Sequence, residues 1–240
     1  GNVILPASGK ALIMTTISDK LQAVLARIAD ATRKSGRKVG TTTLLAVSKT
    51  WPASAVREAA AAGQRAFGEN YVQEGISKIE ALADLELEWH FIGPLQGNKT
   101  RLVAENFAWV HSLDRLKIAE RLSAQRPAHL PPLQVCLQVN VSGEESKSGI
   151  EPDAALTLAQ QIATLPRLKL RGLMCIPEPT DDFAEQRAAF HRLQQQFTQL
   201  KDSGLPLDPL SMGMSHDLEA AIAEGATLVR IGTAIFGERA

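Results

Sequence analysis

Lys49 makes the strongest chemical demand in this chain. It closes the aliphatic run Leu44-Leu45-Ala46-Val47-Ser48-Lys49. A run of this composition reads as a strand covered on both faces, so a cation at its end either escapes to solvent or is held in a pocket. A pocketed lysine amine is suited to condensation with an aldehyde or ketone. Two further segments carry groups suited to an anion. Leu228 to Gly237 sets Arg230, Gly232 and Thr233 along a second aliphatic run, and Ser211-Met212-Gly213-Met214-Ser215 precedes a helical pattern from His216 to Glu224. Ser215 reads as the N-cap of that helix, with Leu218 and Ala221 continuing its face. Capping and turn formation account for either segment alone as well as phosphate binding does. Together, opposite a strand-end lysine, they favour a site.

Gathering these groups requires an architecture that collects strand ends. Eight β-type runs are present: Thr43 to Lys49, Arg65 to Asn70, Glu88 to Gly93, Trp109 to Leu113, Leu133 to Val141, Leu168 to Ile176, Pro209 to Met214 and Leu228 to Phe236. Helical patterns lie between them, as in Phe190, Leu193, Phe197 and Leu200, and one more helix, about Ser18 to Ser35, has no strand before it. These alternations fit an α/β fold, a single (β/α)8 TIM barrel with an extra N-terminal helix, better than an open doubly wound sheet. In such a barrel functional groups sit where strands end, and the loops after strands seven and eight are a frequent phosphate site. Lys49 leaves the first strand. The loop Ser142 to Gly149 after the fifth would bring a second amine, Lys147, to the same mouth.

A lysine facing a phosphate cradle matches two chemistries, a Schiff base with a phosphorylated sugar or an internal aldimine with pyridoxal 5′-phosphate (PLP). Other motifs fall short of their mechanisms. Gly93 to Thr100 is one residue from a G-x-x-x-x-G-K-T nucleotide loop, but Asn98 replaces the glycine whose backbone must wrap the phosphates. His90, His111, His129, His191 and His216 show no ligand spacing, so no metal is expected. His90 and His111 fall in strand runs and read as hydrogen-bonded barrel residues, while His216 reads as the start of a helix.

The composition narrows the class. Among 240 residues, 26 basic and 26 acidic side chains balance, which leaves no global field for nucleic acid or an anionic membrane. No window offers the ~20 consecutive apolar residues of a membrane span. Cys136 and Cys175 sit in separate apolar runs and read as buried free thiols. Residues 1–13 lack periodicity and read as an expression remnant or disordered tail, with one domain over 14–240 and a cytoplasmic location.

Four segments, Ala46-Val47-Ser48-Lys49, Phe67-Gly68-Glu69-Asn70-Tyr71-Val72-Gln73-Glu74, His90-Phe91-Ile92-Gly93-Pro94-Leu95-Gln96-Gly97-Asn98-Lys99 and Ser211-Met212-Gly213-Met214-Ser215, resemble the pyridoxal phosphate homeostasis proteins, the YggS/PROSC family. The similarity extends from about Ser18 to Arg239. It implies a barrel like the alanine racemase N-terminal domain of fold-type III PLP proteins, with Lys49 as the Schiff-base lysine. It also implies that Ser215, Gly232 and Thr233 hold the phosphate, that Arg230 lies near the pyridine ring and phosphate, and that Asn70 lies close to the ring.

The leading functional expectation is a non-enzymatic PLP carrier in vitamin B6 homeostasis, monomeric, with apo PLP-dependent enzymes as possible recipients. The rival is a PLP-dependent amino-acid racemase. Racemisation needs an acid/base on each face of the substrate, and racemases that the barrel resembles take the second, a tyrosine, from an added β-domain and a partner subunit. This chain has one tyrosine, Tyr71, and no stretch reads as that second domain. A phosphate-binding barrel of another substrate is the third reading.

Overall fold

A computed structural model describes residues 16–144 and 148–238 and the backbone of 3–4 and 12–13. Lys147 and most of residues 1–13 lie outside the described residues. Two short strands, β1 (Val3–Ile4) and β2 (Leu12–Ile13), pair antiparallel apart from the main sheet. The helix α1 (Ile17–Lys34) starts at a capping box. The Thr16 hydroxyl accepts from the Asp19 amide at 3.1 Å, and the Asp19 carboxylate accepts from the Thr16 amide at 3.2 Å, so two otherwise unpaired donors are satisfied. Leu21, Val24, Ile28 and Ala31 form its buried stripe.

The eight expected runs become β3 (Thr43–Val47), β4 (Ala66–Glu69), β5 (Glu88–Phe91), β6 (Trp109–Leu113), β7 (Leu133–Gln138), β8 (Leu168–Met174), β9 (Leu210–Ser211) and β10 (Leu228–Ile231). All pair in parallel, and β10 returns to β3 with Ile231 opposite Ala46, so the sheet closes. The open-sheet alternative is thereby excluded. Outside the barrel run α2 (Ala53–Ala61), α3 (Val72–Ala81), α4 (Thr100–Asn106), α5 (Leu116–Gln125), α6 (Pro152–Ala163), α7 (Phe183–Asp202), α8 (Leu218–Ala223) and α9 (Thr233–Phe236). Aliphatic and aromatic residues such as Phe67, Phe91, Phe107, Leu122 and Phe190 fill the layer between sheet and helices.

Three expectations about the strand ends need correction. The eighth run stops at Ile231, because the chain turns at Gly232 into the single helical turn α9. The helix expected from His216 begins at Leu218, and Ser215 is not its N-cap. Asp217 takes that position, its carboxylate accepting from the Met214 amide at 2.6 Å, which tightens the turn before α8. The fifth run leaves the regular ladder after Gln138, and Val139 makes an isolated bridge to Ile150.

The barrel interior is partly polar. Glu88, His90, His111, Ser211 and Arg230 run through it, and at the N-terminal mouth the Trp109 ring stacks on His90 at 5.1 Å beneath the Arg171 guanidinium at 4.7 Å. Cys136 and Cys175 are free and buried, and burial pushes both thiols up to about 12. No helix of the described residues is long and apolar enough to cross a membrane.

Candidate cofactor site

The C-terminal strand ends open into a cleft of about 400 Å³, within the size range of small-molecule sites. Lys49, Asn70, Ser215, Arg230, Gly232 and Thr233 all line it. Val47, Trp51, Ile92, Ile176 and Met214 supply apolar walls.

Lys49 follows β3 and is exposed, whereas Ser48 before it is fully buried. The Ser48 hydroxyl donates to Glu69 Oε2 at 2.9 Å, and the Ser48 carbonyl accepts from Lys78 Nζ at 2.7 Å. Beyond Lys49, the Thr50 amide donates to both carboxylate oxygens of Glu74, at 2.7 and 2.9 Å. Lys78 Nζ also lies 2.8 Å from Glu69 Oε1 and 3.4 Å from Glu74 Oε2. Burial raises the Glu69 carboxyl above its ordinary range, against the pull of the Lys78 ammonium and the Ser48 hydroxyl.

Asn70 leaves β4, and its position is fixed by a close approach of backbones. A Cβ on Gly93 would fall 2.3 Å from the Asn70 carbonyl oxygen, so only glycine lets the end of β5 press against it. The Asn70 side-chain oxygen is buried and, among the described residues, has no hydrogen-bond partner. The cleft wall therefore holds an acceptor whose need a polar ligand would meet.

On the opposite side, Gly213 at φ +105° turns the chain after β9, where a Cβ would also meet that of Ala221 at 2.7 Å. Ser215 then folds back so that its hydroxyl accepts from the Ala234 amide at 3.4 Å, in the first turn of α9. Its carbonyl accepts from Arg27 of α1 at 3.0 Å, while the same guanidinium pairs with Glu219 at 2.8 Å. The extra N-terminal helix thus braces the Ser215 loop. Gly232 and Thr233 open α9, where helical geometry gives the first amides no internal acceptor.

Arg230 comes up from below. Its guanidinium donates to Ser211 Oγ and to the Cys175 carbonyl, both at 2.8 Å, and burial lowers its pKa. Ser211 in turn lies 2.9 Å from His111 Nδ1, His111 Nε2 lies 2.8 Å from His90 Nδ1, and His90 Nε2 lies 2.7 Å from Glu88 Oε1.

Comparison with known proteins settles the family. The pyridoxal phosphate homeostasis protein of Pseudomonas aeruginosa is 64% identical over 226 residues, covering 94% of this chain and 97% of that one. The chain belongs to the pyridoxal phosphate homeostasis protein family. A model of the alanine racemase N-terminal domain matches residues 20–240. The structure of PipY from Synechococcus elongatus with PLP bound superposes with a TM-score of 0.82 at 39% identity, covering 92% of this chain and 100% of that one. Alanine racemase from Corynebacterium glutamicum shares the fold, with a TM-score of 0.66 at 17% identity, and this chain covers 62% of its length.

Some residues of the site escape sequence reasoning. Trp51, Ile92, Ile176 and His216 join the lining through tertiary packing alone. Glu69 and Glu74 stand in the segment Phe67 to Glu74, and Lys78 follows Glu74 by four residues on α3; that spacing signals an ion pair but not its burial beneath Ser48.

Proposed function

We propose that this protein holds PLP as a Schiff base on Lys49 and releases it to apo-enzymes in the cytoplasm, without catalytic turnover of its own. One observation carries the reading. Lys49 and the Ser215, Gly232 and Thr233 set share one cleft of ligand size whose floor is the buried Arg230. The PLP-bound PipY structure supports PLP as the occupant.

The residues fit that group. Ser215 and Thr233 offer hydroxyls, and the α9 turn offers amides, for the phosphate. Asn70 offers its unused oxygen at the wall. Arg230 carries only N–H donors, so a ring nitrogen facing it would remain unprotonated. When bound, PLP supplies an aldehyde for the lysine and a ring whose electron-withdrawing power is weakened by that unprotonated nitrogen. Such an environment suits storage better than carbanion chemistry.

The test is transfer. Loaded protein mixed with an apo PLP-dependent enzyme should restore its activity faster than spontaneous PLP loss, followed by decay of the band near ~420 nm, allows. Restoration no faster than that loss would reject direct handover and leave a storage protein.

A further inference from the structure

We infer that the buried Glu69 and Lys78 and the half-buried Glu74 form a positioning network that aims the Lys49 amine into the cleft, an inference that rests on the proposed role of Lys49. Both peptide groups that bracket Lys49 are held by it. On the N-terminal side, the Ser48 carbonyl accepts from Lys78 Nζ at 2.7 Å, and the Ser48 hydroxyl donates to Glu69 at 2.9 Å. On the C-terminal side, the Thr50 amide donates to both oxygens of Glu74. The Lys78 ammonium donates to Ser48 O and to Glu74 Oε2 at 3.4 Å, and it ion-pairs with Glu69 Oε1 at 2.8 Å.

Two physical facts make stability alone an insufficient account of this arrangement. Lys78 and Glu69 are 5% and 0% exposed, and replacing a buried ion pair by apolar groups of similar volume is often neutral or stabilising. Thr50 has φ +71°, a left-handed conformation that is unusual for a β-branched residue and persists only where its surroundings impose it. The turn from Ser48 to Trp51, closed by the Trp51 amide on the Ser48 carbonyl at 3.0 Å, sets this conformation, and the two-oxygen contact from Glu74 holds the Thr50 amide within it. With Thr50 turned this way and its hydroxyl donating to the Lys49 carbonyl, the Cα–Cβ direction of Lys49 is set from both sides. A reacting amine misplaced by about 1 Å can lose on the order of a hundredfold in rate, which gives a rigid mount functional value.

A double-mutant cycle separates positioning from general support of the fold. Glu74→Gln, Lys78→Met and the apolar double variant Glu69→Leu with Lys78→Met are each made with Lys49 intact and with Lys49→Ala, and PLP is the probe. With Lys49 intact, borohydride-trappable capture should slow by about tenfold or more. In the Lys49→Ala background the same changes should alter PLP affinity by less than about twofold, because non-covalent contacts are untouched. Hydrogen exchange at the Thr50 amide should accelerate in Glu74→Gln. The double variant leaves no unpaired buried charge and decides the matter if a single variant fails to fold. Normal capture in a folded network variant, or equal loss in both backgrounds, overturns the inference alone. Trapping that survives Lys49→Ala at this cleft overturns the Lys49 reading as well.

Discussion

Arg230 Nη1 donates to the Ser211 hydroxyl at 2.8 Å, which joins the floor of the cleft to a chain of polar contacts through the barrel. At the far end of that chain the Glu88 carboxylate only accepts, so a neutral His90 donates to it from Nε2 at 2.7 Å and accepts at Nδ1 from His111 Nε2 at 2.8 Å. A neutral His111 with its proton on Nε2 then accepts at Nδ1 from the Ser211 hydroxyl at 2.9 Å. Both imidazoles are neutral in this chain of bonds. It links the floor of the cleft to the N-terminal mouth of the barrel through five residues.

Neutral buried histidines make stability depend on pH. Burial first, then the neighbouring His90 and Arg230, hold His111 well below its ordinary 6.5, and burial lowers His90 against the pull of Glu88. The unfolded chain therefore binds protons that the folded chain refuses. Stability is full above about pH 6.5 and is lost as pH falls below it, by up to about 1.4 kcal/mol per pH unit for each imidazole. Denaturant titrations at about pH 7 and about pH 5.5 should show a smaller loss for His111→Gln than for the unaltered protein. Equal losses would mean that His111 is not held neutral.

Ser211→Ala should remove the acceptor of a buried guanidinium N–H and the donor to His111 together. The expected cost is about 1–3 kcal/mol in denaturant titration, and a change within experimental error would indicate that the polar chain through the barrel contributes nothing to the fold.

The barrel was legible in the sequence because its strands are buried on both faces and read as aliphatic runs, Leu44 to Val47 and Leu228 to Ile231 among them. That Lys49, Ser215, Arg230, Gly232 and Thr233 line one cleft was legible for a related reason, since strand ends are punctuated by a cation, glycine or hydroxyl, whereas Asn70 entered only through the family resemblance. What failed was local inference where a tertiary contact decides. Ser215 has the right chemistry for an N-cap, but its hydroxyl faces the Ala234 amide of α9, and Asp217 holds the start of α8. Pro209 to Met214 reads as a six-residue run, yet only Leu210–Ser211 is regular strand, because Gly213 turns the chain. The burial of Lys78 depends on oxygens of Ser48, just past β3, and of Glu69 in β4, which no pattern within α3 reveals.

The phosphate reading makes its own demand. Ser215→Ala and Thr233→Val should each weaken PLP binding roughly ten- to a hundredfold, as expected for about 1.5–3 kcal/mol lost with one charge-assisted hydrogen bond. Equilibrium dialysis measures it. If both variants bind normally, the phosphate is held elsewhere.

Loaded protein should not turn over alanine at the ~1 per second or faster of ordinary enzymes. Tyr71 is 57% exposed and is not among the residues lining the cleft, so it is poorly placed to serve the face opposite Lys49. His216 is the lining side chain to examine instead, since it stands at the cleft beside Asp217 at 3.5 Å. Racemisation at an enzymatic rate that His216→Asn abolishes would contradict the carrier reading.

The central claim is that Lys49 carries PLP. Reduction of the loaded protein with borohydride, followed by proteolysis and mass spectrometry, reads the attachment point directly. The account predicts a phosphopyridoxyl group on the peptide containing Lys49 and none in Lys49→Ala. A reduced adduct on another lysine, with Lys49 unmodified, would contradict it.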